Sequence, residues 1–190
     1  MKQIKNITTR FAAFTLIELL VVISIIAILA SLALPAVTGA LVKGQIAQTV
    51  SNYRQLFVLT QSASLDNQTA GGPGAFPGDL SNSSTAWSNA LVPAYCSAAT
   101  FNSMGSVKGV AANTSVWNVK SSDDPATIFL STTGVAGSAS NVTVAITGPY
   151  GSKGAAYVTL GGSAVSINGT NSPNLTNGSA LISSNSFTAF

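Results

Sequence analysis

The stretch Leu19 to Ala30 reads LLVVISIIAILA with Ser24 as its one polar residue, and its apolar character reaches back to Phe14 and on to Val37. Wound as a helix, about 20 such residues cross a bilayer core about 30 Å thick, so the stretch is read as a membrane segment. Lys2, Lys5 and Arg10 all precede it. Positive charge on that flank holds the N-terminus in the cytoplasm and sends everything after about residue 38 outward. One carboxylate, Glu18, stands inside the apolar stretch. An ionised side chain there costs about 3 kcal/mol unless it finds a partner. A plain anchor gains nothing from such a residue. Nor does an ordinary secretory signal cut near Ala33, the rival reading, which would release a secreted binding protein or hydrolase.

The residues around Glu18 carry a more specific pattern. AFTLIELLVVISIIAIL, from Ala13 to Leu29, resembles the N-terminal signature of type IV prepilins and type II secretion pseudopilins. That resemblance implies a prepilin peptidase that cuts between Ala13 and Phe14 and N-methylates Phe14. Ala13 stands where glycine is the commoner residue. Glu18 then lies four residues beyond the new amine, matching the family's near-invariant glutamate. The cut creates a cation where a membrane-embedded carboxylate needs one, and low dielectric makes the unpaired state expensive. One helix cannot easily close this contact on itself, so the resemblance implies that Glu18 of one subunit reaches the Phe14 amine of a neighbour.

The same resemblance implies an α+β chain of the type IV pilin fold, with a long kinked N-terminal helix packed on a small antiparallel β-sheet head. The first half of that helix would span the inner membrane in a single pass with its N-terminus cytoplasmic. The subunit would then pass into a periplasmic or extracellular filament. Implied partners are other pilins or pseudopilins in a homo- or hetero-oligomeric filament, the prepilin peptidase, an inner-membrane assembly platform and a cytoplasmic ATPase. Pilus and secretion pseudopilus stay open. The chain lacks a C-terminal cysteine pair, unlike many classical pilins, and lacks a dense acidic calcium loop, unlike major pseudopilins.

Charge and composition narrow the remaining chemistry. The net charge of +3 comes from the leader, because from Phe14 onward Lys43, Arg54, Lys108, Lys120 and Lys153 are balanced by Glu18, Asp66, Asp79, Asp123 and Asp124. No basic stripe is left in the body, so direct nucleic-acid binding is not indicated. Charged residues make up 7% of the chain, against a usual share of about a quarter, so the outer surface is neutral and polar. With no histidine and one cysteine, Cys96, an intramolecular disulfide, a Cys/His zinc cage and a histidine-based triad are excluded. Cys96 is expected as an inert buried thiol, and no enzyme activity is expected. The several Asn-x-Ser/Thr triplets follow from a composition rich in those residues.

The chain divides on this reading into a leader (1–13), a hydrophobic membrane and filament-core helix (14–38), an amphipathic helix (39–65), a loop-rich connection (66–126) and an antiparallel sheet head (127–190). Pro35 removes a backbone hydrogen bond inside the helical reading and Gly39 follows, so the helix is expected to kink or unwind there. Ile46, Val50, Tyr53, Phe57 and Thr60 fall at three- and four-residue spacings, with Leu56 and Val58 widening the stripe, which predicts a helix packed on a sheet. Strands are predicted at Thr127–Leu130, Val142–Ile146, Ala155–Leu160 and Ala164–Ile167, with a further run at Ala180–Ile182. FPGDL, Phe76 to Leu80, resembles the proline-glycine-aspartate turn of pseudopilin-like proteins and makes Asp79 a turn or cap residue. Trp87, Tyr95, Phe101 and Trp117 are expected to anchor the loop-rich middle to the head. Asp123 and Asp124 offer oxygen donors of the kind Ca²⁺ takes. Two adjacent carboxylates before Pro125 also suit an exposed turn, which is the expectation, with no cofactor.

Overall fold

The computed structural model describes residues 14–80, 83–138, 141–144, 148–169 and 186–187. Two compact units divide the chain, Met1–Ala40 and Leu41–Phe190. Helix α1, Leu16–Thr69, contributes its first turns to one and the remainder to the other.

In the first unit every side chain from Phe14 to Thr38 is exposed, with Leu16 at 87% and Ile17 at 70%. The hydroxyls in this stretch turn back on the helix: Ser24 Oγ donates to Leu20 O at 2.7 Å, Ser31 Oγ to Ile28 O at 2.8 Å and Thr38 Oγ1 to Pro35 O at 3.0 Å. A polar atom bonded in this way need not seek water, so the surface is apolar in effect as well as in composition. α1 is long and apolar enough to cross a membrane. Helical structure continues unbroken through Pro35, Gly39 and Gly44. Proline has no N–H to offer the carbonyl one turn back, but neighbouring turns keep the helix intact, and no unwound stretch occurs there.

In the second unit α1 buries Ile46, Thr49, Tyr53, Leu56, Thr60, Ala63 and Ser64. From Ile46 to Ala63 the steps alternate between three and four residues and form one stripe, which Ser64, four residues beyond Thr60, joins. Leu56 lies in its centre, Phe57 and Val50 at its half-buried edge, and Val58 is 54% exposed. Two residues on from Leu56 is about 200° around the helix, so Val58 falls opposite the stripe instead of widening it.

The stripe packs on an antiparallel sheet of strand order β6-β5-β2-β1-β7. Its strands are β1 (Thr114–Trp117), β2 (Ile128–Thr132), β5 (Gly154–Thr159), β6 (Ala164–Asn168) and β7 (Ser186–Phe187). Every residue of β2 and β5 is buried, which is the pattern of strands covered on both faces. The turn Gly161–Ser163 closes β5 on β6 with Gly162 at φ 78°, a conformation that glycine adopts without strain. β3 (Val135–Ser138) and β4 (Asn141–Val144) form a separate two-stranded hairpin. The predicted strand at Val142–Ile146 is therefore β4, which pairs outside the main sheet, and Ile146 lies outside the described residues, as does the predicted run Ala180–Ile182.

The stretch read as loop-rich holds more order than its composition advertises. It contains α2 (Ser84–Leu91), α3 (Ala98–Gly105) and β1. Ser83 and Ser97 cap the two helices, accepting from Ala86 N at 3.3 Å and Thr100 N at 3.1 Å. Trp87 fills the space between α2, α3 and the sheet, with edge-on contacts to Phe101 and Phe129 at centroid distances of 5.2 and 5.6 Å. Phe76, from the FPGDL turn, extends the cluster to Phe129 at 5.2 Å and to Phe57 at 6.3 Å.

Candidate processing and assembly site

The start of α1 is built by Thr15 and Glu18. Thr15 is the cap residue, since its carbonyl accepts the first helical bond, from Leu19 N at 3.3 Å. Its hydroxyl accepts from Glu18 N at 3.3 Å. In return Glu18 Oε2 accepts both Thr15 N and Thr15 Oγ1 at 2.8 Å. This is a capping box: two amides that the helix leaves without carbonyl partners are met reciprocally by side chains. The spacing T-x-x-E at Thr15 to Glu18 is the sequence signal of this box, and it gives Glu18 a local role beside that of a membrane-embedded carboxylate.

The box locates the charge. The carboxylate lies in the first turn of α1, where the helix dipole favours negative charge, and one of its two oxygens is held by Thr15. Phe14, the residue next before the cap, is 79% exposed. Phe14, Ile17, Val21 and Val22 surround Glu18 in a shallow apolar hollow. The geometry presents an anion on an apolar helix face three residues, less than one turn, beyond the cap. Ala13 lies outside the described residues. Pro35 and Gly39 lie inside α1 beyond this site.

The other candidate residues are placed in turns and cores of the second unit. Asp123 Oδ2 accepts Lys120 N at 2.8 Å and Asp124 Oδ1 accepts Ala126 N at 2.8 Å, so each carboxylate holds its own turn. Asp79 Oδ2 accepts Ser121 N at 3.0 Å, and Gly78 N donates to Val119 O at 2.7 Å. The FPGDL turn is thereby tied to the loop that carries Asp123. Among the described residues no three His, Cys, Asp or Glu side chains gather into a group that could hold a metal ion.

Of the four aromatics in the middle of the chain, Trp87, Phe101 and Trp117 are buried. Tyr95 is half-buried and donates to Asp66 Oδ2 at 2.5 Å, and this bond, which exists only while the phenol keeps its proton, holds the phenol above its ordinary value, with loss of water and the aspartate's charge adding to it. Cys96 is half-buried, and its thiol is raised by loss of water around it, the direction expected of an unreactive cysteine.

Residues 8–34 match the family model of the prokaryotic N-terminal methylation motif. The chain thus carries the prepilin-type cleavage and methylation motif of type IV pilins and pseudopilins, and the matched span encloses Ala13, Phe14, the Thr15–Glu18 box and most of the apolar helix. No curated protein and no solved structure matches the chain.

Proposed function

We propose that the chain is a structural subunit of a type IV pilus-like or type II secretion filament, with assembly as its work and no catalysis of its own. Prepilin peptidase removes residues 1–13 and methylates Phe14. An inner-membrane platform and its ATPase then lift the helix from the bilayer into a periplasmic or extracellular fibre of like subunits. Glu18 pairs with the Phe14 amine of the neighbour, and Pro35 with Gly39 supplies the point at which the helix bends or melts in the fibre. No cofactor takes part.

The observation that carries this reading is the match over residues 8–34 together with a single carboxylate on an otherwise bare apolar helix. Exposed apolar side chains from Phe14 to Leu41 are intolerable in water on this scale. Lipid first and neighbouring helices later are the two environments that suit them. Mass spectrometry of the mature protein tests the proposal: the expected N-terminal peptide begins at Phe14 and carries one added methyl group. A terminus near Leu34 without methylation would instead show an ordinary signal and end the filament reading.

A further inference from the structure

We propose that the head has two oppositely charged ends, and that each docks on the complementary end of a second copy of this chain, setting heads end to end along the direction of α1. The inference rests on the filament reading above and adds to it the surface by which heads recognise each other.

The charges of the second unit are few but sorted. Lys43 lies in the first turns of that unit's part of α1. Lys108 joins it there: its Nζ donates to Pro149 O at 2.6 Å and sits 5.0 Å from the ring centre of Tyr150. The hydroxyl of Tyr150 in turn reaches Thr49 Oγ1 at 2.6 Å and Gln45 O at 3.2 Å. Lys153 is at the same level, because the adjoining Gly154 lies against the side chain of Ile46, 3.1 Å from where a Cβ would be. All three lysines are exposed.

The aspartates lie at the other end. Asp66 is on α1 itself, 23 residues beyond Lys43, or roughly 35 Å along the axis. Asp124 flanks Pro125, whose carbonyl accepts Gly161 N at 2.7 Å, and Gly162 lies against the Phe57 ring. Asp79 and Asp123 belong to the two loops tied by the Ser121 and Lys120 amides, with Phe76 beside Phe57. Lys120 is the one cation among them and Arg54 lies between the ends. The ends thus carry three formal positive charges and a net of three negative. Among the described residues no ion pair joins any of these groups.

Such charges act over about 8 Å at physiological ionic strength, far less than the separation of the two ends. They do little within one head and act when two heads meet. Opposite ends attract and like ends repel, which fixes polarity more than it adds affinity. A contact made by two different patches on opposite ends is heterologous, and repetition of it grows a line rather than closing a pair. Apart from Arg54 no other side chain of the second unit carries a formal charge, so these patches are the head's main source of directional information.

Charge reversal in the full-length chain, expressed in cells that assemble it, tests the proposal. Lys43→Glu with Lys153→Glu, and separately Asp66→Lys with Asp124→Lys, are each expected to lower the yield of sheared fibres about tenfold while the mature N-terminus still begins at Phe14. All four changes in one chain reverse both ends and are expected to restore the yield. Should the turn at Asp124 not tolerate lysine, Lys43→Glu and Asp66→Lys, both exposed positions on α1, give the same comparison singly and together. Wild-type yield from the single-end reversals, or no recovery in the combined variant, overturns the proposal. So does cross-linking that yields only an antiparallel pair. Fibres that begin at Phe14 but ignore these changes would leave the filament reading standing, whereas a wild-type terminus elsewhere removes both.

Discussion

The carboxylate of Glu18 has one oxygen held by Thr15 and a second available to another donor, so capping and intersubunit pairing do not compete for the same atom. The two roles can be separated by substitution. Glutamine retains an oxygen for the capping box but carries no charge. Glu18→Gln is therefore expected to leave cleavage at Phe14 and helical content unchanged while fibre formation falls sharply. Normal fibres from this variant, scored by electron microscopy, would show that the charge is dispensable. Tyr53 illustrates a different economy, in which one polar group ties three elements. It is fully buried, and its hydroxyl lies 2.8 Å from Thr114 Oγ1, which itself donates to Gly105 O at 2.6 Å. With the threonine proton so engaged, the phenol is the donor, and α1, β1 and α3 share one chain of bonds. Removal from water raises the Tyr53 pKa above its ordinary value of 10.0. The unfolded chain thus releases this proton first, so stability falls as pH climbs above about 10 and is undiminished by this group below it. Tyr53→Phe is expected to cost about 1 kcal/mol at neutral pH and to flatten the alkaline decline, as thermal melts at pH 7 and pH 11 would show.

Elements were legible where one physical signal stood alone. The apolar run of α1 needed no context, and the three-four spacing from Ile46 to Thr60 announced the buried face of its second part. β5 and β6 could be found because Ala155–Leu160 and Ala164–Ile167 are separated by the turn residues Gly161 to Ser163. The middle of the chain was harder, for a reason that lies in its composition. Serine caps α2 and α3, yet serine and threonine are so common here that Ser83 and Ser97 do not stand out as signals. TSVW at β1 is β-branched and aromatic, but four residues amid glycine and asparagine read as loop until a neighbouring strand is known. The pairing of β4 with β3 was hidden because alternation predicts a strand without saying which sheet it joins. At the site itself the apolar surroundings make Glu18 conspicuous, while its bond to Thr15 depends on where the helix begins, which a threonine in a chain rich in Ser and Thr does not mark by itself.

At the scale of the whole molecule, two units answer to different solvents. The first has no side-chain core of its own among the described residues, whereas the second has the buried set around Leu56, Trp87, Phe129 and Val158. A chain comprising residues 41–190 is accordingly expected to fold as a soluble species with a cooperative melt, checked by size exclusion and calorimetry. Failure of that fragment to fold would mean that the head depends on residues before Leu41. The chain's two tryptophans both lie in this unit, Trp87 fully enclosed and Trp117 nearly so. Tryptophan emission from the full-length protein therefore originates entirely beyond residue 41. An indole signal will follow melting of the head in detergent, vesicle or fibre alike, and stay blind to whatever the first forty residues are doing.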